Sequence, residues 1–174
     1  MHRPAPTEYA PYYARYIDLV PEADPIAALE AQLGETLAVL RPAPEAQGSV
    51  RHPPYTWTVK EVVGHVTDTE RIFGYRALRF ARGDTTPLPG FDEGAYAPAG
   101  EFDRVALAGL VGEFETVRRS HVALFRHLPA AAWDRGGEAN GVPVTVRALA
   151  YMMAGHARHH AAILRKRLTN KEQS

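Results

Sequence analysis

Three histidines fall within five positions of the stretch AGHARHH: His156, His159 and His160. Imidazoles bind divalent metals, move protons and activate nucleophiles, so the spacing raises the question of a metal site. On a helix, His156 and His160 stand one turn apart and about 40° around the axis, so both rings can reach one ion. They also interrupt an apolar seam, Val146, Leu149, Met153, His156, His160, Ile163 and Arg167. Unpaired buried polar groups cost on the order of a few kcal/mol each. A metal would supply the partner; the alternative is a bundle end that is open and wet. His159 is turned about 60° to the other side of His156, toward the surface or a partner subunit.

A lone His-x-x-x-His pair is weak evidence, and a third ligand changes its weight. Of the eight histidines, His2 and His52 lie in proline-rich coil, and His127 falls off its helix's seam. His121 lies on that seam and reads as a core histidine before it reads as a fourth ligand. His65, in VKEVVGHVTDTE, lies on the inner flank of an apolar face. Glu61 and Asp68 are its neighbours at four and three residues. They are the candidates to orient its ring or handle protons. Two ligands from one helix and one from another, with an open position, is the pattern of catalytic rather than structural zinc. Ala157 and Arg158 follow His156 where a zinc peptidase has its glutamate, which disfavours peptidase chemistry.

The elements that must carry these residues are helical. Asp24-Pro25 is an N-cap followed by proline at the first helical position. Ile26, Leu29, Leu33 and Leu40 then form a seam that stops at Pro42 and Pro44. Thr58 and Glu61 form a capping box that opens a second helix with Val62, Val66, Phe73, Ala77 and Phe80 inside, ending near Arg82-Gly83. A proline- and glycine-rich crossover runs from Asp84 to about Phe102; Asp92 and Tyr96 in it could border a pocket or simply pack the loop. A third helix carries Leu107, Leu110, Phe114, Val117, His121, Leu124 and Leu128 at heptad steps. The segment WDRGGEANGVP reads as a loop, and Thr145 caps the last helix. Residues 1–23, rich in proline and tyrosine, read as an N-terminal arm. No convincing strand run appears. The expectation is an all-α four-helix bundle forming one domain over residues 1–174.

Composition narrows the function. Lys+Arg and Asp+Glu are 20 each, so the formal charge is zero, and no basic field exists to hold nucleic acid. There is no cysteine, which excludes disulfides, thiolate nucleophiles and cysteine-ligated zinc. Any thiol must arrive on a small molecule. No stretch approaches the roughly 20 apolar residues of a membrane span, and the N-terminal sequence lacks signal-peptide character. A cytoplasmic protein is the expectation.

The segments YIDLVPEADPIAALEAQL, WTVKEVVGHVTDTERIFGYRALRFARGD, PGFDEGAY and GHARHHAAILRKRL resemble, in order and spacing, the YfiT-like branch of the DinB-like superfamily. The resemblance spans about Tyr16 to Leu168. Its most specific part is a Trp-Thr-x-x-Glu-x-x-x-His-x-x-Asp-x-Glu helix paired with a late His-x-x-x-His helix. It implies an up-down-down-up bundle, usually homodimeric. It also implies a divalent metal, zinc or nickel, held by His65, His156 and His160. Characterised members of the family include transferases of low-molecular-weight thiols such as bacillithiol and a maleylpyruvate isomerase. A metal-activated thiol S-transferase is the leading expectation. A hydrolase using metal-activated water is the alternative, and a non-catalytic, stress-associated metal-binding bundle is the third reading. Asp68 and Glu61 would be the proton-handling groups in the enzymatic readings.

Overall fold

The computed structural model describes residues 2–169. Four long helices build it: α2 (Pro25–Leu40), α4 (Val59–Ala81), α6 (Leu107–Arg126) and α7 (Val146–Thr169). Three short helices, α1 (Ala14–Ile17), α3 (Glu45–Gly48) and α5 (Glu93–Ala99), lie in the arm, the first connection and the crossover. Each long helix starts where a side chain satisfies a free backbone donor. The Asp24 carboxylate accepts from Ile26 N at 3.0 Å. The Thr58 hydroxyl accepts from Glu61 N while the Glu61 carboxylate accepts from Thr58 N at 2.7 Å, a complete capping box. Thr145 accepts from Ala148 N. Helix α6 has no local cap; Leu107 N donates instead to Glu45 of α3 at 2.8 Å, so the first connection closes the start of the third long helix.

Cross-helix pairs give the directions. Thr58 meets Asp103 just before α6, Glu70 meets Arg118 and Gly74 packs on His121, so α4 and α6 run parallel and need the crossover between them. Arg41–Glu115 and Arg126–Glu30 make α2 antiparallel to α6. The Tyr151 hydroxyl donates to the Glu22 carbonyl and Arg158 reaches Glu35, which sets α7 alongside α2. The topology is up-down-down-up. The seams of α2 and α7 are buried as their spacing predicts, Ile26, His160 and Ile163 only in part, and α4 buries Val62, Val66, Phe73, Ala77 and Phe80.

Two expectations are corrected. First, α6 buries the expected Leu107, Leu110 and Phe114 together with Val111, Arg118, Val122 and Phe125, whereas Val117 and Leu124 are only half-buried. The stripe follows the 3.6-residue period of a straight helix and drifts off the heptad seam by about 20° per heptad. Arg118 thereby enters the core with no exposed surface, its Nε donating to Glu70 at 3.1 Å and its Nη1 to the Leu29 carbonyl at 3.0 Å. Second, WDRGGEANGVP is not all loop. It contains a hairpin, β1 (Gly136–Ala139) against β2 (Val142–Thr145), closed by Asn140-Gly141 with φ of 55° and 74°. Two positive φ values in a two-residue loop suit the right-handed twist of the strands. Leu88 bridges to β1 through Leu88 N to Glu138 O and Asn140 N to Leu88 O, which pins the crossover at its start.

Candidate metal centre

His65 lies two turns into α4, and His156 and His160 lie one turn apart on the antiparallel α7. Their Nε2 atoms converge. His65 Nε2 is 3.0 Å from His156 Nε2, which is 3.2 Å from His160 Nε2. Three ligand atoms, one from each ring, all lie within 4.8 Å of one another, and the group can hold a metal ion. Nitrogens bonded to one ion at about 2.0–2.1 Å in tetrahedral directions lie about 3.3 Å apart, so the separations of His156 from His65 and from His160 are within tenths of an ångström of that spacing.

Aromatic rings hold the imidazoles. The Trp57 ring is 4.9 Å from that of His65, and the rings of Tyr16 and Phe73 are 5.2 and 6.3 Å from that of His156. Tyr16 comes this close because residue 155 is glycine: a Cβ there would stand 1.9 Å from the Tyr16 carbonyl oxygen. Burial in this setting pushes the histidines toward the neutral form. The His65 pKa falls to about 4 by burial, partly offset by the Glu93 carboxylate. The His160 pKa falls to about 3, by burial and then by repulsion from His65 and His159. His156 is held well below its ordinary value by burial and then by His160 and His65. Uncharged imidazoles present the lone pairs a cation requires, so the donor set fits a divalent metal.

The histidines form the inner end of a cavity of about 200 Å³, walled by Tyr12, Tyr13, Trp57, Phe73 and Phe91 and rimmed by Glu93. Next to it lies an outer cleft of about 380 Å³ that shares Tyr12, Tyr13, Phe91 and Glu93 as walls and is further bordered by Arg76, Asn140 and Val142. A wider groove of about 710 Å³ lies elsewhere, on the outside of α2 and α6, and contains none of the three histidines.

The structure brings His65, His156 and His160 together and leaves the two expected acids outside the cavity. Glu61 spends its carboxylate on the Thr58 cap and lies 3.4 Å from Arg51. Asp68 faces Arg71, which also binds Glu113 of α6 at 2.6 Å; burial raises the Asp68 carboxyl and Arg71 opposes the rise. Asp68 is turned about 60° from His65 toward α6, whereas Thr69 is turned about 40° the other way and lines the cavity. The carboxylate that acts on His65 is Glu93, between the two crossover residues considered from sequence. Asp92 caps α5, accepting from Gly94 N and Ala95 N. Tyr96 is exposed, its ring 5.5 Å from that of Phe91. His121 pairs with Glu70 at 3.3 Å, and His159 stands beside His160 with its ring 5.6 Å from Tyr16's; neither belongs to the converging group. An acidic pair, Asp92-Glu93, opening a short helix was the available signal for Glu93.

Residues 28–164 match the DinB superfamily. The chain belongs to this superfamily. No curated protein matches it in sequence. Among solved structures, this DinB-superfamily chain is similar to YfiT from Bacillus subtilis at TM-score 0.74 and 17% identity, over 99% of this chain and 95% of that one. YfiT is described as a "probable metal-dependent hydrolase with an unusual four-helix bundle topology". It is also similar to a mycothiol-dependent maleylpyruvate isomerase at TM-score 0.71 and 16% identity, over 86% of this chain. The chain spans 62% of that isomerase's length. At these identities the likeness is one of fold.

Proposed function

We propose that the chain is a metal-dependent enzyme for a small-molecule substrate. In this reading zinc or nickel is held by His65, His156 and His160, and the reaction transfers a low-molecular-weight thiol to an electrophile. The observation that carries it is the meeting of three imidazole nitrogens, two buried and that of His160 half-buried, in an open cavity, with no fourth ligand in the group among the described residues. A structural ion is normally closed by a fourth side chain. A divalent ion, when bound, keeps a coordinated thiol deprotonated or brings a coordinated water to a pKa of about 7.

The remaining work falls to the chain's own groups. Three neutral ligands leave a bound ion its full positive charge. Trp57, Tyr16 and Phe73 shield the histidines from water and offer an apolar surface to the stem of a ligand. Glu93, exposed at the rim, can accept the proton an entering thiol gives up. No cysteine in the sequence competes for the ion.

Hydrolysis is the second reading, and Glu93 favours it too, since a carboxylate bordering the cavity can take a proton from water. The description of YfiT points the same way. Cobalt-substituted protein distinguishes the two. Thiol transfer predicts that a thiol shifts the cobalt absorption bands and that thiol with chlorinated bimane or dinitrobenzene gives the S-conjugate. No spectral change with any thiol, together with cleavage of an ester or amide, turns the assignment to hydrolysis. The homodimer implied by the family resemblance is part of the proposal, and light scattering checks it.

A further inference from the structure

Arg76 is a buried cation that no acid answers. It lies on α4 eleven residues after His65, which is three turns with about 20° left over. His65, Thr69, Phe73 and Arg76, at steps of four, four and three, therefore share one face of the helix. The first three line the inner cavity and Arg76 borders the outer cleft. Arg76 is 4% exposed. Among the described residues its guanidinium makes one hydrogen bond, Nη2 to the Pro89 carbonyl at 2.8 Å, and no ion pair. Of the other buried arginines two have acids, while Arg167, like Arg76, has none, and Arg147 Nε and Arg167 Nη1 are themselves buried without a partner. Arg118 pairs with Glu70, Arg147 with Glu8 and Asp134, and Arg167 donates to the carbonyls of Val50 and Trp57. A guanidinium has five N–H donors in a planar fork suited to a carboxylate or phosphate. A second unmatched group lies on the same face: the Thr69 hydroxyl, buried, lining the cavity and without a hydrogen-bond partner.

We infer that the cleft takes an elongated small molecule with an acidic group, a carboxylate or phosphate that accepts from Arg76, and a reacting end that lies at the three histidines. Thr69 hydrogen-bonds the stretch between, and Phe73 and Tyr13 flank its stem. The inference rests on the proposed function and names the substrate class for it. His65 and Arg76 are about 16 Å apart along the helix axis. With the reach of both side chains subtracted, acid and reacting atom are on the order of 10 Å apart.

The test uses the metal-loaded full chain and mercapto-acids of rising length, from mercaptoacetate through mercaptohexanoate to mercaptoundecanoate. Each is matched with the mercaptoalcohol of the same length, and one mercaptoalkyl phosphate is added; binding is read by calorimetry. At intermediate length the acid is expected to bind at least about tenfold more tightly than the alcohol, since a charged partner replaces a neutral one. Arg76→Gln should abolish that preference without lowering the melting temperature, because it removes an uncompensated buried charge; Arg76→Lys should keep part of it. Acid and alcohol alike at every length, absence of binding by both included, overturns the inference, and so does a preference that survives Arg76→Gln. If that variant does not fold, the acid–alcohol comparison on the wild type decides. The phosphate member tells which anion the guanidinium prefers. Metal analysis of the same samples separates the two levels. An acid preference in protein that takes up no metal keeps the anion site and removes the metal reading. Bound metal without an acid preference does the reverse.

Discussion

Gly155 of α7 packs directly beneath the Tyr16 carbonyl, leaving no room for a side chain: an added Cβ would stand 1.9 Å from the oxygen. This contact is what lets the N-terminal arm wall the histidine site. Gly155→Ala gains helix propensity of about 1 kcal/mol but forces a backbone atom aside, and overpacking of this kind costs about 1–3 kcal/mol. The expected outcome is a lower urea midpoint and faster chymotrypsin cleavage at Tyr12 and Tyr13. Unchanged stability with an equally protected arm would show that the arm does not pack there.

The Glu70–Arg118 pair is sealed in the core and tied to His121 and Gln32. Arg118→Met strands the Glu70 carboxylate, and breaking a buried pair from one side costs about 3–5 kcal/mol. Urea unfolding at neutral pH should register that loss. The double variant Arg118→Met with Glu70→Leu should recover much of it, because no charge is then left unpaired.

The same pair sets a pH dependence. Burial alone would raise the Glu70 carboxyl, but Arg118 and the hydrogen bonds from His121 and Arg118 outweigh it and hold it below 4.5. A carboxyl whose pKa falls on folding contributes stability that is complete above its unfolded value and is lost as pH drops through the folded value. The stability difference between wild type and Glu70→Gln should therefore be flat from neutral pH down to about 5 and shrink below about 4.5. A difference that grows on acidification would contradict the pairing.

Glu93 faces the histidines from the crossover without being a ligand. Glu93→Gln should leave metal content unchanged and reduce turnover by about 10²- to 10⁴-fold, the usual contribution of a positioned proton acceptor. Full activity in this variant would remove Glu93 from the reaction.

Much of this was legible in the sequence, for identifiable reasons. The capping box at Thr58 and the Asp24-Pro25 start are local signals, and both are realised. His156 and His160 stood out because they replace apolar residues in a periodic seam, and His65 because it flanks one. The placing of Glu61 and Asp68 was not legible, because helical proximity to His65 does not say which neighbouring helix each faces; one is engaged by the cap and the other turns toward α6. Glu93 depends on where a long crossover lands, which Leu88 settles by pairing with a hairpin far along the chain. That hairpin carried a strong turn signal, Asn140-Gly141, between strands whose glycines and proline weaken their own propensity. Arg118 was hidden because a core arginine is recognisable only once Glu70 is seen opposite it.

The central claim is that three imidazoles from two helices share one ion. Its most direct test is elemental analysis of protein purified without a nickel column, for the wild type and for His65→Ala, His156→Ala, His160→Ala and His159→Ala. The account predicts close to one divalent ion per chain in the wild type and in His159→Ala, and sharp loss in each of the other three. A metal-free wild type, full metal content in His65→Ala, or equal loss from His159→Ala would contradict it.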